Sequence, residues 1–312
     1  MPLQRSDIPD LIAPGLKTEF EAAYRSQVEN SIAEQIATVV STTLPIQKYS
    51  WLGATPPMRE LIDERRPAGM SPYSVTIEDK TFESSIAVER RAIEDDQLGL
   101  VRLRIQDLAS RVSQHRHQIV VGALTAGNVG LGYDGLSFFN TAHAVPGGTA
   151  SNKTSSALSA AALATGVSAM MQYQDDSGVP LGIVPDTLVV GPKNMWDAIE
   201  LVESPVVVAK ATTSTGTPPT DYVNAFQGRL RLIVSPYITG AAQDNWFLLD
   251  TKRPIKGIIL QQRSDVPVEF TSLESNSGGE AAWMRDRYYY GVRARYNVGY
   301  GLWQAAYGGS LS

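Results

Sequence analysis

The chain of 312 residues contains no cysteine. That absence excludes disulfides, thiolate nucleophiles, iron–sulfur clusters and cysteine-held structural zinc, so covalent reinforcement would need another chemistry. Histidine is scarce too, at three residues, which leaves little imidazole for metal binding or proton transfer. Nowhere do about 18 apolar residues run without interruption, and the start, MPLQRSDIPDLIAPGLKTEF, has no basic segment leading into an apolar run. The expectation is therefore no membrane contact, with synthesis and assembly in a cytoplasm. Positive charge is in the minority, with Lys+Arg 27 against Asp+Glu 32 and a net charge of −5. The summed field repels polyphosphate, which argues against a dedicated nucleic-acid reader.

What is present describes a folded protein. Hydrophobic residues make up 43% and charged residues 19%, away from the composition of disordered chains. At about 150 residues per domain, the length predicts two domains or one elaborated domain.

Phe20, Tyr24, Val28, Ile32 and Ile36 recur every four residues, which predicts an amphipathic helix over 17–40, with Pro14 and Gly15 before it and Pro45 after it. Such an arm calls for another surface to cover its stripe, a neighbouring subunit being one candidate. Residues 46–72 carry Pro56, Pro57, Pro67 and Pro72 with the run Arg59-Glu60-Leu61-Ile62-Asp63-Glu64-Arg65-Arg66, a density of proline that predicts an extended excursion. Alternation at Tyr73, Val75 and Ile77, and again at Ile86 and Val88, predicts two strands.

Between Gln97 and Thr125, Leu98, Val101, Ile105, Leu108, Val112, His115 and Ile119 step by three and four, while Arg102, Arg104, Arg111 and Arg116 lie off that stripe. A spine helix of roughly 43 Å follows, with Asp95 or Asp96 placed to cap its start and Gly127-Asn128 its end. A second unit is expected after the linker 141–157, with a helix over 159–176, strands at 187–190, 231–234 and 246–249, a short helix over 195–201 and a loop at 211–220; a further strand-like run lies at 258–261. From Tyr288 to Leu302 apolar residues alternate without a lapse, which predicts a long closing strand.

No catalytic, cofactor or metal site assembles from these residues. His115 and His117, two apart on a helix, point about 200° away from each other and cannot share a metal. His143 lacks a metal partner nearby and reads as a loop-fixing hydrogen bonder. Glu94-Asp95-Asp96 complements a helix dipole, and Gly127, Gly130, Gly132 and Gly135 lack the Gly-Lys-Ser/Thr of a phosphate cradle. The stripe Tyr288 to Tyr300, with Arg293 and Arg295 opposite, reads as core in preference to a base-stacking platform.

Several segments together resemble the major head subunits of Mu-like tailed bacteriophages. They are Tyr49-Ser50-Trp51-Leu52-Gly53, Pro57-Met58-Arg59-Glu60, Val88-Glu89-Arg90, Ile93 to Gly99, Tyr133-Asp134-Gly135-Leu136-Ser137-Phe138-Phe139 with His143, and Tyr290 to Arg295. The resemblance covers most of the chain and implies an α+β, HK97-like capsid fold. It implies an N-terminal arm (1–48), an extended loop (49–80), a peripheral domain (81–155 with 251–312) and an axial domain (156–250). It further implies a non-enzymatic virion protein that self-assembles into hexamers and pentamers of an icosahedral head around double-stranded DNA, without sequence-specific DNA binding. Expected partners are a portal, a separate scaffold and a decoration protein. On this reading Phe20, Tyr24, Val28, Ile32, Trp51, Arg59, Glu60, Asp63, Glu64, Arg65 and Arg66 face neighbouring subunits. Lys48 and Lys80 alone flank the loop, which disfavours lysine–asparagine crosslinking. The nearest alternative is an encapsulin-like cellular compartment. A tail or decoration protein, or a hydrolase using Asp95, Asp96 or His143, lies further off.

Overall fold

The computed structural model describes residues 8–29, 31–52, 72–89, 91, 98–175, 178–207, 222–264, 268–273 and 287–311. Helices α1 (Ile8–Glu29) and α2 (Ile32–Ile36) lead into β1 (Ala37–Thr42), followed by β2 (Ile46–Leu52), β3 (Pro72–Glu78) and β4 (Lys80–Glu89). The spine helix α3 (Leu98–Thr125) precedes three short strands, β5 (His143–Val145), β6 (Gly148–Ala150) and β7 (Lys153–Thr154). Then come α4 (Ala160–Gln172), β8 (Thr187–Val190), α5 (Met195–Val202), β9 (Val206–Val207), β10 (Tyr222–Val223), β11 (Arg231–Val234) and β12 (Trp246–Leu249). The chain closes with β13 (Ile258–Arg263), β14 (Val268–Leu273), β15 (Arg287–Tyr300) and β16 (Ala306–Gly309).

The predicted helix over 17–40 is instead two helices and a strand. It begins earlier, at Ile8, with Pro9 in the first turn where the missing N–H has no partner to lose. Pro14 removes one bond inside α1, a cost the burial of Leu16 and Phe20 offsets. Past Ile36 the β-branched run Thr38-Val39-Val40 favours extended backbone, and β1 pairs in parallel with β13, Ala37 opposite Ile258.

Two sheets organise the body. In the first, β15 is central: β4 runs antiparallel along one edge, with Tyr290 opposite Ile86. β14 and β13 follow one another along the other edge, with Ser272 opposite Tyr290 and Gln262 opposite Tyr296. The second sheet has the order β11-β8-β12-β16-β7. Residues 306–309, expected to return to the peripheral unit, add to this second sheet instead, between β12 and β7. Ala-Tyr-Gly-Gly carries no alternating bulk to announce a strand, and its glycine is required: a Cβ on Gly309 would collide with the buried Trp246 indole.

A smaller core cluster joins α1, the first half of α3 and β15 through Leu16, Phe20, Val101, Ile105, Leu108 and Tyr290. A larger one joins the second half of α3 to the second sheet through Val120, Val121, Leu124, Phe139, Leu188 and Phe247. The tyrosine stripe of β15 is core as expected: Tyr288, Tyr290 and Tyr296 are buried.

Candidate functional site

The features that could carry function are surfaces and the ties that position them. Phe20 on α1 is 2% exposed and stacks on Phe270 of β14 at 5.1 Å between ring centroids. Full burial of one such ring contributes about 1.5–3 kcal/mol. Tyr24 lies parallel to Phe20 at 6.1 Å, and Ile32 packs against the larger core. Phe20 is thus covered within its own chain by α3 and β14, while Tyr24 and Ile32 are half-buried there and keep part of their surface open.

Polar ties finish this docking. Arg116, expected off the buried stripe of α3, is 2% exposed, because α1 and α2 close over it. Its Nη1 donates to Tyr24 OH at 2.7 Å and its Nη2 to Glu34 Oε1 at 2.9 Å, and its guanidinium carbon lies 5.9 Å from the Tyr296 ring centroid. Burial raises the pKa of Glu34, against the opposing charges of Arg116 and Lys256. Lys256 Nζ donates to the carbonyls of Glu34, Gln35 and Ala37 at 3.0, 2.7 and 3.1 Å, a cationic cap on the end of α2. Nothing in the periodicity of the sequence pointed to Arg116 or Lys256.

The hairpin of β2 and β3 is the second feature, with Tyr49 opposite Val75. Its root is fixed: the Asp79 N–H donates to the Pro45 carbonyl at 2.9 Å, and Arg295 pairs with Asp79 at 2.7 Å. Tyr49 OH donates to Gln261 Oε1 at 2.9 Å, with burial pushing the phenol up to about 12. Ile77 packs directly over Gly299, where a Cβ would collide with it. At this root, on either side of Pro45, Leu44 is 54% and Ile46 53% exposed. Trp51 belongs to β2 by its backbone, while Arg59, Glu60, Asp63, Glu64, Arg65 and Arg66 lie outside the described residues. Val28 is half-buried near the end of α1.

Each of the three histidines lies within hydrogen-bond distance of a neighbouring side chain. His115 Nδ1 lies 2.8 Å from Tyr296 OH and His117 Nε2 3.0 Å from Ser235 Oγ, and burial lowers the pKa of both. His143, fully buried, meets Asp134 Oδ2 and Asn152 Oδ1 and fixes its loop as expected. Gly135 takes a left-handed turn with φ 78°. Asp95 and Asp96 lie outside the described residues. Among the described residues no group of three or more His, Asp or Glu could hold a metal ion, and no helix is long and apolar enough to cross a membrane. A half-open cavity of about 410 Å³ lies between α3 and β4, lined by Phe82, His115, Tyr296 and Tyr237 with Arg111 at its rim.

Comparison with known proteins supplies the context. The profile of a family described as "Mu-like prophage major head subunit gpT" matches residues 10–162, 150–238 and 238–311. The chain is 27% identical over 275 residues to the Mu-like prophage FluMu major head subunit of Haemophilus influenzae, covering 88% of this chain and 64% of that protein. It is 27% identical over 132 residues to the major capsid protein of Escherichia phage Mu, covering 42% and 43%. The chain thus spans less than two thirds of the length of either curated relative. Among solved structures, a chain from the procapsid of bacteriophage JBD30 is 28% identical with a TM-score of 0.55, over 96% of this chain and 75% of that one.

Proposed function

The chain belongs to the family of Mu-like prophage major head subunits, its α+β architecture is the HK97-like capsid fold, and from this we propose that it is a major capsid protein. Copies assemble as hexamers and pentamers into a closed head around double-stranded DNA, in the host cytoplasm and without enzymatic activity. The units divide as an arm (1–48), an extended loop (49–80), a peripheral domain built on α3 and an axial domain around the second sheet. A portal, a separate scaffold and a decoration protein complete the particle.

The observation that carries this reading is the family match from residue 10 to residue 311, which takes in the arm, the hairpin and both sheets. The arm is already docked in its own chain, so contact between subunits falls to the hairpin and the loop it bounds. At the root of the hairpin Leu44 and Ile46 present uncovered apolar surface. Trp51 and the charged run Arg59, Glu60, Asp63, Glu64, Arg65 and Arg66 meet neighbouring copies, and the charges fix orientation more than affinity, since exposed ion pairs contribute about 0–1 kcal/mol each. Negative-stain microscopy of the purified protein, with nucleic-acid content measured on the particles, tests the proposal. Shells or capsomers of regular symmetry are expected. A monodisperse monomer at every concentration and ionic strength would refute it.

A further inference from the structure

His143 stands at the crossing between the two sheets. The chain leaves the first sheet at Tyr300, turns through Trp303 and enters the second sheet at Ala306. The His143 ring stacks on the Trp303 indole at 4.1 Å and 5° between planes. Asn152 holds the same crossing, its Nδ2 donating to the carbonyls of Phe138, Trp303 and Ala306 at 2.8, 3.3 and 3.4 Å. The Asn152 backbone carbonyl accepts from the Gly308 N–H at 2.9 Å.

The orientation of the Asn152 amide is set by its partners. Three carbonyls require the NH₂ group on one side, and the Asn140 N–H donating to Oδ1 at 2.8 Å requires the oxygen on the other. His143 Nε2, 3.2 Å from that Oδ1, therefore faces an acceptor. Nδ1 faces a second acceptor, Asp134 Oδ2, at 2.6 Å. A neutral imidazole can donate from only one nitrogen. We propose that His143 carries a proton on both ring nitrogens, and that this buried cation is a proton-operated lock on the joint between the two sheets.

The surroundings suit a cation. Burial acts to raise the pKa of Asp134, but the hydrogen bond and charge of His143 and the Leu136 N–H outweigh it and lower the pKa, keeping a carboxylate beside the ring. The Trp303 face lies against the ring. Titratable groups around the joint include the phenols of Tyr173, edge-on to Trp303 with its pKa raised by burial, Tyr133, bonded to Gln304, and Tyr307 on β16, with Asp250 bonded through its N–H to the Ala305 carbonyl and Lys153 paired to Gly308. Loss of the proton would set a bare nitrogen against an oxygen in a site closed to water, and the joint would loosen.

Ring nitrogen spectra of the ¹⁵N-labelled full-length protein at pH 7 test the charge state. One doubly protonated ring and two neutral ones are expected, since burial lowers the pKa of His115 and His117. Three neutral rings, or a cationic signal that survives His143→Gln, would overturn the proposal. Asp134→Asn keeps the ring in place should His143→Gln fail to fold. There the cationic signal is expected to vanish at pH 7, and its persistence would count against the ion pair. Raising the pH until the signal is lost should also lower the intrinsic-rate-corrected exchange protection of the Gly308 amide at least tenfold, whereas unchanged protection would rule out the lock.

Discussion

Arg116 of α3 and Glu34 of α2 meet at 2.9 Å, with the arginine side chain 2% exposed and the glutamate 28%. Two helices that precede the first sheet in sequence are thus tied to the middle of the spine helix by a charge taken almost wholly out of water. Arg116→Ala leaves Glu34 and Tyr24 OH without their donor. Removal of one partner of a buried pair costs about 3–5 kcal/mol, and the partial exposure of Glu34 places this case toward the lower end. Urea unfolding should register that loss, with the amides of α1 losing protection before those of β15. A change below about 0.5 kcal/mol, the scatter of ordinary surface substitutions, would mean that the node does not hold the arm. Replacing Arg116 and Glu34 together by methionine should recover most of the stability.

A pH dependence follows from the two helix histidines. Burial lowers the folded-state pKa of His115 and His117, so the unfolded chain binds protons more readily than the folded one. Stability contributed by their neutral forms is complete above the unfolded value of about 6.5 and is lost as pH falls through and below it. Urea midpoints should drop between pH 7.5 and 5.5. The double variant His115→Gln, His117→Gln should show a shallower drop, and an equal drop would assign the effect to other groups.

Much of this fold was legible because its largest elements advertise their period. The alternation from Tyr288 to Tyr300 reports a strand with one buried face, and the three-four stepping from Val101 to Ile119 reports a helix; both match β15 and α3 closely. Legibility failed where partners are remote in sequence. The helical stepping continues to Ile36 and conceals β1, whose extended state is selected by pairing with β13. Arg116 counts as a surface residue on a helical wheel drawn for α3 alone, and becomes core only when α1 arrives. The arm shows the same limit: a stripe in sequence specifies that it must be covered, not by which surface. His143 was legible as a bonding residue, but its partners Asn152 and Trp303 were not, since both are fixed by the crossing to β16.

The excursion between the two hairpin strands offers a test of assembly apart from folding. Deleting residues 55–72 removes Arg59, Glu60, Asp63, Glu64, Arg65 and Arg66, together with Pro72 at the very start of β3, while leaving β2 and the rest of β3. The variant is expected to show native far-UV circular dichroism and an unchanged urea midpoint, yet to yield no closed shells by electron microscopy. Normal particles from it would remove the loop from the assembly contacts. For the intact protein, shell yield should fall as ionic strength rises, since orientation by exposed charges is screened over about 8–10 Å at 0.10–0.15 M salt.

The seating of Ile77 on Gly299 sets how the hairpin leaves the body. Ile77 is 3% exposed, and a Cβ at residue 299 would collide with its side chain. Gly299→Ala therefore forces Ile77 away and strains the neighbouring tie in which Asn297 Nδ2 donates to the Glu78 carbonyl at 2.7 Å. Overpacking of this kind costs about 1–3 kcal/mol. The more diagnostic consequence is local: amides of β2 and β3 should exchange faster, while those of β4, paired along β15, keep their protection. Ile77→Ala introduced with Gly299→Ala relieves the collision and should restore slow exchange in the hairpin and with it shell closure. If the double variant stayed as loose as Gly299→Ala alone, the orientation of the hairpin would depend on Tyr49 and Asp79 and not on this contact.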